Sequence, residues 1–285
     1  MKRLMNRHPS RWARIGLGLF PLLILIILYM MGSEARLAEN PNDKLMPAFS
    51  SIGQAIDRLA FEPNKRSGDY LFWQDSAASL TRLLMGVAVS ACLGLFFGVV
   101  NGLLPLVRAT LAPIVTILSL IPPMAVLPIL FIIFGLGELS KVVLIVVGIA
   151  PFLMRDLQSR VQEIPEEILV KAQTLGASTW QIAIRVILPQ ILPRLIEAIR
   201  LSLGAAWLFL IAAEAIASTE GLGYRIFLVR RYMSMDTILP YVAWITLLSY
   251  TMDWFLSQLS RLLFPWYYDI SRADKQSDAS EVSAS

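Results

Sequence analysis

The chain contains one cysteine, Cys92, and one histidine, His8, among 285 residues. A lone cysteine forms no intrachain disulfide and builds no cysteine-based metal site. A lone histidine in a basic N-terminal stretch leaves a zinc hydrolase short of ligands, and gives a serine–histidine–aspartate enzyme only a tail residue as its base. No catalytic residue, no metal site and no cofactor bound by the chain itself are therefore expected. No G-x-x-x-x-G-K-[ST] loop occurs either, so ATP has no phosphate loop to occupy here. Charged residues make up only 16% of the chain, and the excess of Lys and Arg (net +4, pI near 9.3) is scattered between apolar runs. No basic stripe lies beside aromatic platforms, which argues against nucleic acid as a partner.

What fills the chain is apolar. A hydrophobic content of 56% and a mean hydropathy of +0.63 exceed what one soluble core needs, and point to an all-α integral membrane protein with about six transmembrane helices. Residues 1–14 form a basic tail, with Lys2, Arg3, Arg7, Arg11 and Arg14 and no acid, which holds the start of the first span, residues 15–31, in the cytoplasm. A cleaved signal peptide ending near Ser33-Glu34-Ala35 is the competing reading. The apolar run is longer than a signal core and about long enough to span, which favours an uncleaved anchor. Residues 32–75 read as an extracytoplasmic segment with a short amphipathic helix over 49–61. Residues 76–264 hold the remaining spans, expected at 76–104, 111–134, 139–154, 195–217 and 238–264. Residues 265–285 form a cytoplasmic tail that from Ser271 has the composition of disorder. In this topology both termini, and the segment between the fourth and fifth spans, face the cytoplasm.

That segment, residues 163–193, is the polar interruption around which the apolar runs are arranged. Pro165 presets φ near a helix start, and Glu163, Glu166 and Glu167 set negative charge against the positive end of the helix dipole. A helix through Lys171 and Gln173 stops at Leu175-Gly176, since glycine takes the left-handed cap without a Cβ penalty. Ser178 with Gln181 matches a capping box for a second helix, running toward Leu188 before Pro189 and Pro193 punctuate the chain.

LGAS at 175–178, a hydrophobic stretch and LP at 188–189 resemble the EAA loop of binding-protein-dependent ABC importer permeases. The name-giving glutamate is absent, because the matching positions read Val170, Lys171 and Ala172. SLTR at 79–82, IPPMAVLPILFIIFGLG at 121–137 and AWLFLIAAEAIASTEGLGYRI at 206–226 are similar to the nitrate, taurine and sulfonate branch of that family, over roughly 76–263. The resemblance implies a five-helix MetI-like core, a multi-pass place in the bacterial inner membrane, and a loop that docks into separate cytoplasmic ABC ATPase subunits. ATP and Mg would sit on those subunits. It also implies an extracytoplasmic solute-binding protein and a second permease copy, most simply a homodimer. The coupling residues it assigns are Glu166, Glu167, Lys171, Ala172, Leu175, Gly176, Ala177, Ser178, Trp180, Leu188 and Pro189. The substrate implied is a small polar nitrogen or sulfur compound. A narrower similarity over 206–244, to permeases associated with urea carboxylase, would favour a urea-like or guanidinium compound.

Candidate pathway or gate residues come from charges and breaks inside the apolar runs. Pro122, Pro123 and Pro128, with Met124 between them, interrupt the third span, and proline kinks are tolerated where helices or water satisfy the freed carbonyls. Glu197 and Arg200 sit three apart and are expected to pair within one helix. Glu214 precedes a polar glycine turn beginning at Ser218. Asp253 has no sequence-local partner, and Arg82 reads as an interfacial anchor or a cavity charge. Glu138 and Lys141 read as a solvated helix-start pair. Gly86, Ser90, Gly94, Gly98 and Gly102 form a small-residue stripe, read as a packing face or a dimer seam. An ion-coupled secondary transporter using the intramembrane acids is the alternative function, although paired broken helices in two repeats are not evident.

Overall fold

The computed structural model describes residues 9–41, 43–64 and 68–268. Lys2, Arg3, Arg7 and His8, and the tail expected beyond 268, lie outside the described residues. The chain divides into two units, Met1–Leu71 with Ile226–Val242, and Phe72–Arg225 with Ala243–Ser285.

In the first unit, helix α1 (Arg11–Glu39) is capped by Ser10, whose side chain accepts from the Ala13 N–H at 3.3 Å. The helix does not stop at residue 31 but runs on to Glu39, where Arg36 in its last turn pairs with Asp43. That arginine holds the Asp43 carboxyl below its usual range, aided by the Leu45 N–H. The chain then folds back along α1. Tyr29 Oη donates to the Pro47 carbonyl at 2.7 Å, and Ser33 Oγ donates to the Met46 carbonyl at 2.9 Å. The expected amphipathic helix is α2 (Phe49–Ala60), which buries Ala55, Leu59 and Ala60.

The second unit is built on α3 (Leu71–Leu103), α4 (Pro105–Leu120), α5 (Pro123–Phe134), α6 (Glu138–Gln162), α7 (Glu166–Thr174), α8 (Thr179–Ile182) and α9 (Leu188–Ala217). Helices α10 (Leu222–Arg230) and α11 (Met235–Leu263) each have residues in both units. Long, apolar helices able to cross a membrane are Trp12–Glu39, Leu71–Leu103, Glu138–Gln162 and Thr179–Ala217. The expected span at 111–134 is broken. α4 and α5 meet at 97° where Ile121 and Pro122 take extended backbone, because Pro123 cannot continue the ladder of α4. α11 has the length of a span, but Asp236, Asp253 and its tyrosines make it less apolar than the others.

Pro189 and Pro193 do not end the helix that follows α8. A π-helical turn, Ala183–Ile187, joins α8 to α9, and both prolines are carried inside the continuous run. For Pro189, the widened turn moves the Arg185 carbonyl that its ring would strike, and absorbs its missing N–H.

The small-residue stripe packs within one chain. Gly86, Ser90, Gly94, Gly98 and Gly102 are all buried. A Cβ at Gly86 would lie 2.8 Å from Ile145 Cβ, one at Gly94 2.7 Å from Leu153 Cβ, and one at Gly98 2.7 Å from Leu157 Cβ. The stripe is the track along which α6 lies on α3, and close backbone approach replaces the hydrophobic drive that lipid cannot supply. Gly94→Leu should therefore overpack this seam by about 1–3 kcal/mol or more. A clearly lower melting temperature of the detergent-solubilised protein is expected, whereas Gly53→Ala, where added bulk meets nothing, should hold or raise it.

Candidate functional site

Two clusters sit at opposite ends of the second unit's helices. The first is the elbow between α6 and α9. Ile164 is buried as the chain leaves α6, Pro165 caps α7, and Glu166 and Glu167 stand in its first turn. At its end Gly176 takes φ +80°. Its N–H donates to Gln173 O at 2.9 Å, and the Ala177 N–H donates to Ala172 O at 3.0 Å. These are the paired bonds of a Schellman cap, and they tie off the carbonyls that α7 leaves open. Ser178 then closes a capping box, its N–H donating to Gln181 Oε1 at 2.8 Å and its Oγ accepting from the Gln181 N–H. Two local motifs back to back make this corner stiff.

The elbow has two faces. Leu169, Ala172, Ala177, Ile182 and Ile187 pack inward on Leu153, Leu157 and Val161 of α6. Facing out are Glu166, Glu167, Val170 and Lys171, with Leu175 87% and Trp180 73% exposed. Two large apolar side chains are thus held far out on a stiff, otherwise polar corner. Leu188 is half-buried and turns with Trp180 and Ile184 toward Phe96 and Val99 of α3, so it belongs to a cleft beside the elbow; Pro189 is exposed in the first turn of α9.

The second cluster is a belt of charge around two buried groups, Arg82 and Glu214, with Glu138 at its exposed rim. Arg82 is 2% exposed, and donates through Nη1 to Glu214 Oε1 at 2.8 Å and to the Glu220 carbonyl at 3.0 Å. It donates through Nη2 to Glu138 Oε1 at 2.9 Å, and its Nε also bonds Glu138. Glu214 is fully buried, and accepts from Ser79 Oγ at 2.7 Å and from the Gly223 N–H at 2.9 Å. Asp75, also fully buried, accepts from the Gly221 N–H at 2.9 Å and from Arg225 Nε at 2.8 Å. Gly221, at φ +122°, is the residue whose missing Cβ lets the turn close over the Glu214 carboxylate.

These contacts correct several expectations. Glu214 is locked inside the fold, because Arg82 and the glycine turn enclose it. Arg82 is a buried clamp, not an interfacial anchor. Lys141 is not solvated: at 3% exposure it reaches Glu138 at 2.7 Å. Glu197 and Arg200 do not pair. Arg200 is drawn across to Asp253, with bonds of 2.8 and 3.0 Å, and Glu197 turns to Arg194 and to Tyr267 Oη at 3.2 Å. Burial and Glu197 push the Tyr267 hydroxyl up to about 12, so it stays a donor. Pro122, Met124 and Pro128 are exposed around the α4–α5 break, with Pro123 half-buried beside them, whereas Ser218 caps α9 with its Oγ buried and without a partner among the described residues. Asp75 falls at the end of the 32–75 segment expected outside the spans, whereas the structure carries it on α3. The spacing Asp75, Ser76, Ser79, Arg82 is one face of a helix and could have revealed it.

Residues 90–265 match the sequence family described as Binding-protein-dependent transport system inner membrane component. The chain is 37% identical over 203 residues to the taurine transport system permease protein TauC of Escherichia coli, covering 71% of this chain and 74% of that protein. It is 30% identical to the putative aliphatic sulfonates transport permease protein SsuC of Bacillus subtilis, over 66% of this chain and 68% of that one. It is also 30% identical to the bicarbonate transport system permease protein CmpB of Synechococcus elongatus, over 67% and 69%. Among solved structures, the fold matches an inward-facing MetNI methionine ABC transporter with a TM-score of 0.60 and 23% identity, over 70% of this chain and 99% of that one. A bacterial alginate ABC transporter, solved with an alginate-bound periplasmic protein, matches with a TM-score of 0.58 and 13% identity, over 89% and 98%.

Arg82→Met would strand the Glu214 carboxylate away from water, at a cost of about 3–5 kcal/mol. A steep fall in the detergent melting temperature is expected, with part of it recovered on adding Glu214→Gln; a single variant that melts like the parent would show that the belt carries no load.

Proposed function

This chain belongs to the binding-protein-dependent transport system inner membrane components and is a permease of an ABC importer; on that premise we propose that its 163–193 elbow is the cytoplasmic surface to which the motor subunits couple. The observation that carries this is the exposure of Leu175 and Trp180 on a doubly capped corner, flanked by Glu166, Glu167 and Lys171. A partner that closes around those side chains moves the corner as one piece. Its inner face is continuous with the core of α6 and α9, so the displacement passes to the membrane helices.

On this reading ATP and Mg reside on separate ABC ATPase subunits, both termini of the chain are cytoplasmic, and a solute-binding protein delivers substrate from the other side. Two motor subunits need two elbows, which a homodimer of this chain supplies. The substrate proposed is a small sulfur or nitrogen compound of the taurine and sulfonate kind, in line with what the relatives TauC and SsuC are named for. An ion-coupled carrier would need intramembrane acids free to load and release protons or cations. Glu214 and Asp253 are instead bound to Arg82 and Arg200.

ATP-driven uptake of taurine into proteoliposomes holding this permease, its ATPase and its binding protein tests the assignment. Uptake that persists without the ATPase would end it, and uptake of urea in place of taurine would redirect the substrate. Trp180→Ala combined with Leu175→Ala should weaken ATPase co-purification by roughly 2 kcal/mol or more. The melting temperature of the permease alone should stay unchanged, because both side chains are exposed. Gly176→Leu should strain the φ +80° corner by about 1–2 kcal/mol, and uncouple ATP hydrolysis from transport while the permease still dimerises.

A further inference from the structure

Between α9 and α11 lies an open cleft of about 480 Å³, bordered by Arg200, Gly204, Trp207, Ser249, Tyr250 and Asp253. Arg200 stands on α9, in the second turn of the span expected at 195–217. Its guanidinium holds Asp253 through two bonds of 2.8 and 3.0 Å, yet the two side chains keep 27% and 42% of their surface exposed. A half-exposed ion pair inside a span is costly against hydrocarbon, and such a pair faces water or a polar guest. The belt around Arg82 contrasts with it, since there both Arg82 and Glu214 are sealed. The rest of the cleft suits a guest. Gly204 leaves its floor empty, with nothing within 4 Å of where a Cβ would stand. Ser249 and Tyr250 offer hydroxyls along one face of α11, and the buried Trp207 indole N–H has no acceptor among the described residues.

We propose that this cleft is a binding station for a small zwitterion, with Arg200 taking its anionic group and Asp253 its cationic group. The inference rests on the importer reading and narrows its substrate to molecules carrying both charges. Charge balance decides for a zwitterion over a simple anion. A simple anion on Arg200 competes with Asp253 and leaves that carboxylate unpaired away from bulk water. A zwitterion entering between them exchanges one ion pair for two, and leaves no charge uncompensated. Arg200 has donors to spare, since only Nε and one Nη are used on Asp253.

The test is equilibrium binding of radiolabelled taurine to the permease–ATPase complex in nanodiscs without binding protein, with unlabelled β-alanine and ethanesulfonate as competitors. Taurine and β-alanine should bind and ethanesulfonate should compete poorly. Asp253→Asn should weaken taurine by roughly tenfold or more while moving ethanesulfonate little. Gly204→Leu, which fills the floor without touching backbone, should abolish taurine binding in a complex that still assembles on a sizing column. Equal effects of Asp253→Asn on taurine and ethanesulfonate, or undiminished taurine binding to Gly204→Leu, would overturn the proposal. The two readings fail differently. Binding of β-alanine with no ATP-driven uptake would count against the importer's substrate, whereas uptake of taurine with no zwitterion bound to the cleft would count against the cleft.

Discussion

Carboxylates of Glu138 on α6, Glu214 on α9 and, at 3.5 Å, Glu220 in the turn after it converge on Arg82, and the arrangement of the helix ends around it follows from keeping that guanidinium and Glu214 together. Each charge alone would lose several kcal/mol of solvation in such a setting. Neither α3, α6 nor α9 can slide along its axis without opening a bond to Arg82, and the turn at 218–223 is held down by its own N–H groups on Glu214 and Asp75. Farther along α3 no charge does this work. There the glycine stripe fixes the depth at which α6 lies on α3, and bulk excluded at one position after another sets the register. Charge complementarity at one end and steric closeness along the shaft divide the task of holding helices that lipid does not push together.

The elbow at the other end follows a different logic. Its shape is local, made by a Schellman cap and a capping box within a few residues, so it keeps its form whatever the membrane helices do. Its attachment is not local: Ala172, Ala177, Ile182 and Ile187 share one apolar cluster with α6 and the start of α9. On the proposed reading, this stiff corner seated on the ends of two long helices receives a push on its exposed side chains and passes it along both. The π-turn at Ala183–Ile187 lies just where the corner becomes the span, and a widened turn is a place where a helix yields more readily.

Much of this was legible in residue order. The elbow's caps, the amphipathic helix after the first span and the break in the third span all depend on residues within a few positions of one another. Glycine at a left-handed corner, serine three before glutamine and paired prolines carry the same meaning in almost any surroundings. The stripe at Gly86 to Gly102 was legible as a packing face, but its partner was not, because nothing in the spacing says which helix will lie there. Pro189 and Pro193 misled for the same reason. Their local effect is to break a helix, and packing around the π-turn overrode it.

The charges mark the boundary most clearly. From sequence, Glu197 and Arg200 were natural partners at one-turn spacing, yet Arg200 is held by Asp253, 53 residues away, and Arg82 by Glu138 and Glu214, 56 and 132 residues away. By itself the sequence determined the membrane class, the polar elbow and its caps, because these rest on composition and on contacts one helical turn long, while its motifs carried the resemblance to the family. Tertiary structure alone decided which acid meets which base, which charges are sealed and which stay partly exposed. In a low-dielectric bundle a charge takes the best partner that packing brings within reach, and reach in space bears no relation to distance along the chain.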